Sequence, residues 1–158
     1  MTIVRANASH VDGILELAEA NYPERGGELT GTLNRNAVSA TIQKMPSIVA
    51  LRDSVVVGFL LAWEKGPSGN ACVNAMLEAY SGSPDAYVYG PICVDASVRG
   101  VGIAGKMFDE LKRLLPGREG ILFIKASNES SLRAHRKMGM KEMARYTFDA
   151  QEFVVFAY

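Results

Sequence analysis

Cysteine is scarce in this chain, with Cys72 and Cys93 the only two among 158 residues. They fall on different expected elements, and no export signal is apparent. Free thiols in a reducing cytoplasm are therefore expected, rather than a disulfide framework. Histidine is as rare, with His10 and His135 alone. The carboxylates are scattered, so no spacing matches a metal-ligand set and no metal is expected. Neither sign of charge is in excess: 17 Lys plus Arg stand against 17 Asp plus Glu. That balance removes the electrostatic reason to expect nucleic acid or an anionic membrane as partner. No apolar run approaches the roughly 20 residues needed to span a bilayer. The opening Met1-Thr2-Ile3-Val4-Arg5-Ala6 lacks the basic flank and apolar centre of a signal peptide and reads as a first strand.

What is present is ordinary for a globular protein, at 48% hydrophobic and 22% charged residues. The length favours one domain over 1–158. After the first strand, Ser9 reads as an N-cap, and Val11, Ile14, Leu15, Ala18 and Tyr22 recur at helical spacing until Pro23. Glu24 to Arg35 reads as a loop, and Val38, Ile42 and Met45 mark a second helix. Ile48 to Leu51, a turn at Arg52-Asp53-Ser54 and Val55 to Trp63 form a hairpin. Ala71 to Tyr80 reads as a short helix between loops. Ala86 to Val94 reads as a strand, with Gly90-Pro91 as an irregularity. An amphipathic helix starts near Gly102 and ends at Pro116-Gly117. Ile121 to Ile124 is a strand buried on both faces, and Asn128 caps a helix closed by Gly139. Met143 to Phe148 and Phe153 to Tyr158 are the last strands. The order predicts a mixed sheet covered by helices, with a parallel pair formed across the strand–helix–strand of its middle.

The informative stretch is Ile92 to Gly105, where a strand leaves through a short loop directly into the amphipathic helix. First-turn N–H groups of a helix lack intrahelical partners, and the dipole there favours negative charge. Gly100, Gly102 and Gly105, with small Ala104, allow a diphosphate to approach that backbone, and Arg99 adds a charge. A flexible turn with a solvated Arg99 explains the local pattern equally well. A P-loop is excluded because the helix begins Gly102-Ile103-Ala104-Gly105, without Gly-Lys-Ser/Thr. A dinucleotide fold is excluded because the second strand ends in Lys125-Ala126-Ser127-Asn128, without an acidic residue.

Arg99-Gly100-Val101-Gly102-Ile103-Ala104 resembles the Arg/Gln-x-x-Gly-x-Gly/Ala signature of the GNAT superfamily of N-acetyltransferases. Ile92-Cys93-Val94 stands where that family has its pantetheine-holding strand. Asn128 to Met140, with Asn128, Ser131, His135, Lys137, Gly139 and Met140 in register, is similar to its Asn-helix-Gly-Phe segment. Val56-Val57-Gly58-Phe59 resembles the family's return strand. The resemblance implies an α/β GNAT fold: a mixed, mostly antiparallel sheet with splayed central parallel strands, flanked by about four helices. It also implies acetyl-CoA as acyl donor and a small-molecule or peptide amine as acceptor, with direct transfer in a ternary complex. Backbone amides from Val101 through Gly102, Ile103 and Ala104 to Gly105, with Arg99 and Gly100, would hold the pyrophosphate. Ile92, Cys93 and Val94 would pair with the pantetheine arm in a slot between strands 86–94 and 121–125. Asn128, Ser131 and His135 would lie along the same arm.

Acetyl transfer to an amine requires loss of an amine proton, a donor to the oxyanion, and a proton for the leaving thiolate. A backbone N–H near Val94 suits the second demand. By the resemblance, the family's usual Tyr for the third is replaced here by His135, the candidate general acid. Tyr89 and Glu64 are the base candidates carried forward, with Tyr87 and Asp95 nearby in sequence. Cys93 reads as a small buried residue rather than a nucleophile, and His10 as a surface residue. Loss of the usual Tyr leaves a second reading, an acyl-CoA-binding sensor or scaffold without catalysis. Tyr22 to Arg35 and Gly66 to Pro84 are the expected acceptor-side walls. The face formed by Val73, Met76, Leu77 and Tyr80 reads as core by default, with a pocket or a homodimer contact as alternatives.

Overall fold

A computed structural model describes residues 1–22, 25, 32–66 and 68–158. Its elements run β1 (Thr2–Arg5), α1 (Val11–Ala20), α2 (Arg35–Lys44), β2 (Ile48–Arg52), β3 (Val55–Glu64), α3 (Ala71–Ala79) and β4 (Tyr87–Val94). They continue with α4 (Ile103–Leu114), β5 (Gly120–Lys125), α5 (Glu129–Lys137), β6 (Lys141–Phe148) and β7 (Gln151–Ala157). The strand order is β1-β2-β3-β4-β5-β7-β6. The parallel pairing of β4 with β5 stands among antiparallel ones, as the sequence pattern predicts. The short helix anticipated at 71–80 brings the α-helices among the described residues to five. The chain forms two compact units, Met1–Trp63 with Gly90–Gly117, and Glu64–Tyr89 with Arg118–Tyr158. Strand β4 runs from the second into the first.

In the first unit, β1 lies antiparallel to β2, and β2 to β3, through a tight turn in which Asp53 and Ser54 have φ of 50° and 66°. Two left-handed residues in succession match the twist of the hairpin they close. The far half of β4 joins β3: the Asp95 N–H donates to the Val57 carbonyl at 2.9 Å, and the Trp63 indole donates to the Gly90 carbonyl at 2.6 Å. The core gathers Val11, Ile14, Leu17 and Ala18 of α1, Val38 and Ile42 of α2, and Val49, Phe59, Leu61 and Cys93 of the strands. Leu17 joins the buried set, and Leu15, half-buried, packs against the same core. Helix α1 approaches the sheet so closely that a Cβ on Gly13 would come 2.6 Å from Val56 Cγ2. Gly58 makes room in the same way, for Met107 of α4 and the Cys93 carbonyl.

Two local expectations are corrected. The first helical segment opens at Asn7, not Ser9: Asn7 Oδ1 accepts from the Ser9 N–H at 2.9 Å, and His10 Nδ1 accepts from the Asn7 N–H at 3.1 Å. Ser9 lies inside the 3-10 turn Ala8–His10 that this capping box creates. Arg35 is not loop but the first residue of α2, because Asn34 caps that helix by accepting from the Ala37 N–H. Most of the remaining loop expected from Glu24, with Pro23, lies outside the described residues, as does Pro67.

In the second unit, β5 pairs antiparallel with β7 over five positions, from Ile121↔Ala157 to Lys125↔Phe153. Its parallel register with β4 holds only two pairs, Tyr87↔Gly120 and Val88↔Ile121. Strands β6 and β7 form a hairpin turned by Asp149 and Ala150, with φ of 51° and 61°. Helix α3 packs on β6 and β5. It buries Cys72 and Met76, while Val73, Leu77 and Tyr80 are half-buried. That supports the core reading of this face, shifted by a turn position to include Cys72. The loop after α3 is tied down by Lys65 Nζ, which donates to the Ser81 and Ser83 carbonyls at 2.9 and 2.6 Å. Glu119 adds to this by accepting from the Tyr80 hydroxyl and the Ser83 N–H, each at 2.6 Å.

Candidate active site

In the first unit, β4 ends at Val94 and the chain turns once before α4. Asp95 makes that turn: its carboxylate accepts from the Ser97 N–H at 2.9 Å and the Ser97 hydroxyl at 2.6 Å. Those hydrogen bonds, aided by Arg52 and Arg99, hold the Asp95 carboxyl below its ordinary range. It is a fixed anion within a turn and poorly suited to act as a base. Val98 is buried and anchors the loop beneath. Gly100 and Gly102 then take φ of 81° and 82°, the left-handed region that favours glycine, and α4 begins at Ile103.

The first hydrogen bond of α4 runs from the Lys106 N–H to the Gly102 carbonyl at 3.1 Å. Among the described residues no acceptor meets the N–H groups of Val101, Gly102, Ile103, Ala104 or Gly105. A Cβ added at Gly100, Gly102 or Gly105 would meet nothing within 4 Å. Gly100 and Gly102 are explained by their φ, but Gly105 is an ordinary helical residue, and no contact among the described residues requires glycine there. A row of unpartnered N–H donors beside bare backbone fits the diphosphate of a coenzyme. Ile103 sends its side chain into the core, so only its N–H is offered, whereas the Val101 side chain is exposed. Arg99 is exposed and held at two points: Nε donates to the Val94 carbonyl at 3.0 Å and Nη2 to Asn21 Oδ1 at 2.8 Å. Cys93 is buried in the strand before this loop, and burial pushes its thiol up to about 11. That is the environment of a structural cysteine, not a nucleophile.

The second unit holds the other group of candidate residues. Asn128 caps α5, its Oδ1 accepting from the Ser131 N–H at 3.3 Å. The helix closes at Gly139, with the Met140 N–H bonded to the His135 carbonyl at 3.2 Å. His135 is buried. Its Nδ1 lies 2.8 Å from the Ser131 carbonyl, which can only accept, so the ring proton belongs on Nδ1. Nε2 then carries the lone pair and receives the Tyr89 hydroxyl at 3.1 Å. Burial pulls the His135 pKa below its ordinary value, against the opposing pull of the Ser131 carbonyl. The resting state is therefore a neutral imidazole with no proton on Nε2, and the expected acid would have to gain one before giving it.

Tyr89 is no better suited as a resting base, because complete burial raises its pKa far above that of a free phenol and keeps it protonated. Around the pair stand Tyr158, edge-on to Tyr89 at 6.0 Å, and Tyr87, whose hydroxyl bonds that of Tyr158. Tyr158 fits there because Gly120 has no side chain: a Cβ at that position would collide with its ring. Glu64 is exposed and faces Arg118 at 3.6 Å. Among the described residues no contact joins it to His135 or Tyr89. Within this unit His135, Tyr89 and Ser131 are thus in direct contact, with Asn128 beneath Ser131. Sequence reasoning missed Tyr158 and Asn21, since neither stands in a motif. Asn21 at a helix end carried only a weak capping signal.

The sequence matches the acetyltransferase (GNAT) family over residues 11–140. No curated protein matches it. Among solved structures, an N-acetyltransferase from Staphylococcus aureus Mu50 superposes with a TM-score of 0.71 at 23% identity, over 99% of this chain and 96% of that one. A ribosomal-protein-alanine N-acetyltransferase from Brucella melitensis does so with a TM-score of 0.70 at 19% identity, over 100% and 99%. Arabidopsis thaliana NAA60 in complex with acetyl-CoA gives 0.71 at 15% identity, over 99% and 97%. At these identities the superpositions establish the fold. The family match runs through both units and covers well over half of the sequence: the chain belongs to the GNAT family of acetyltransferases.

Proposed function

We propose that the chain is an acetyl-CoA-dependent N-acetyltransferase, transferring an acetyl group to a primary amine of a small molecule or peptide by direct transfer. The observation that carries this reading is the row of N–H groups from Val101 to Gly105 at the head of α4, without an acceptor among the described residues and opened by two left-handed glycines. Those donors, with Arg99, would hold the coenzyme's phosphates, and the edge formed by Ile92, Cys93 and Val94 would align its pantetheine arm. When bound, acetyl-CoA supplies the activated thioester. The described residues contain no group of His, Cys, Asp and Glu that could hold a metal ion, and the proposed transfer uses none. The family match across both units supports reading 1–158 as one acetyltransferase domain. Free Cys72 and Cys93 accord with a cytoplasmic location.

For the proton traffic, the neutral His135 is the movable element of the second unit. Its Nε2 takes a hydrogen bond from Tyr89 and can take a proton. Its Nδ1 proton is fixed on the Ser131 carbonyl, so the ring does not turn over. One observation favours a second reading. Nε2 at rest has no proton to give and Tyr89 has no lowered pKa, as expected of an acyl-CoA-binding module without catalysis.

Incubation with acetyl-CoA and a panel of small-molecule and peptide amines, following free thiol, separates the two. The enzyme is expected to release thiol only with particular amines. That rate should fall by about tenfold or more in His135→Ala while coenzyme affinity holds. Coenzyme affinity without turnover on any amine would favour the module, and a folded protein with no coenzyme affinity would remove both readings.

A further inference from the structure

Arg99 is not left to solvent in this fold, and the residue that holds it lies far away in sequence. Asn21 stands at the C-terminal end of α1, half-buried. Its amide has only one possible orientation: Nδ2 donates to the Leu17 carbonyl at 2.9 Å, so the oxygen must face the other way. That oxygen accepts from Arg99 Nη2 at 2.8 Å, while Arg99 Nε donates to the Val94 carbonyl at 3.0 Å. Two bonds from adjacent nitrogens fix the guanidinium plane, and the rest of its N–H groups have no acceptor among the described residues. The end of α1 adds its partial negative charge beside the cation.

The choice of an amide is chemically pointed. A carboxylate at position 21 would also hold Arg99, but it would cancel the charge and repel an approaching phosphate. A neutral amide fixes the side chain and leaves the charge intact. An arginine already fixed also loses less rotamer freedom when a ligand arrives. We propose that Asn21 is a positioning residue that pre-orients Arg99 for the phosphates of the coenzyme. This rests on the cradle assignment made above.

The test is calorimetric titration with coenzyme A of the unmodified protein, Asn21→Ala, Arg99→Ala and the double variant, with a melting curve for each. Losing the pre-orienting bond is expected to weaken coenzyme A binding by about five- to tenfold in Asn21→Ala. Arg99→Ala should weaken it at least as much, and the double variant should bind no worse than Arg99→Ala alone. A merely structural Asn21 would lower the melting temperature without this dependence on Arg99. Unchanged affinity in Asn21→Ala, an equal further loss in the Arg99→Ala background, or no loss in Arg99→Ala would each overturn the proposal. Absence of binding by the unmodified protein would instead overturn the cradle assignment and this proposal with it. Should Asn21→Ala not fold, Asn21→Leu keeps the branched shape, removes the acceptor and repeats the cycle with the same expected result.

Discussion

At the scale of single residues, burial decides what the reactive side chains can do. The Cys93 thiol is pushed up to about 11 by desolvation, and a protonated thiol is a poor nucleophile at neutral pH. Cys93→Ala is therefore expected to keep transfer within about twofold of the unmodified rate in a thiol-release assay, whereas an acetyl-cysteine route would lose it entirely. His135 has a pH signature of its own. Its folded pKa lies below its ordinary 6.5, so the unfolded chain binds the proton first as pH falls. Stability should accordingly drop as pH decreases from about 7 to 5, where the unfolded state carries more protons than the folded one. His10 is shifted in the same direction by partial burial. Urea midpoints measured across this range should show a shallower fall in His135→Gln than in the unmodified protein, and parallel slopes would count against a buried neutral imidazole. His135 stands in the sequence segment Asn128 to Met140, and the fold buries it. The sequence could not give the tautomer, which depends on the Ser131 carbonyl and the Tyr89 hydroxyl meeting opposite nitrogens.

At the scale of elements, most boundaries were legible because the deciding signals are local. The turn Asp53-Ser54, the cap Asn128 and the stop at Gly139 each act within a few residues of themselves. Ser9 was misassigned because Asn7 and Ser9 are both competent caps. The return bond from His10 to the Asn7 N–H decides between them. Asn7→Ala is expected to cost about 1 kcal/mol in urea unfolding, and Ser9→Ala less. Packing between elements was not legible: nothing in the sequence says that Gly13 faces Val56. Adding a methyl at Gly13 puts it 2.6 Å from Val56 Cγ2, so Gly13→Ala should destabilise by about 1–3 kcal/mol despite better helix propensity. Gly105 provides the contrast. Its Cβ direction is open, so Gly105→Glu should fold normally while its carboxylate repels a diphosphate and abolishes coenzyme binding in calorimetry.

At the scale of the whole molecule, the alternation of strands and helices was enough to foresee a mixed sheet with a parallel pair in its middle, and the observed order has β4 beside β5. The strand exchange that puts β7 between β5 and β6 was not foreseen, because hairpin signals fix which strands pair and not which of the two faces the sheet. The glycine-rich head of α4 was legible as a motif, since Gly100, Gly102 and Gly105 are contiguous with the helix they open. Its tether through Asn21, 78 positions away, was not. The proposed grip of the head of α4 on a coenzyme diphosphate is testable amide by amide. The most direct measurement is a titration of ¹⁵N-labelled protein with coenzyme A, following backbone amide resonances one by one. The largest saturable shifts are expected at the amides of Val101 to Gly105, which have no acceptor among the described residues. Unmoved resonances there, in a folded protein at millimolar coenzyme, would contradict it.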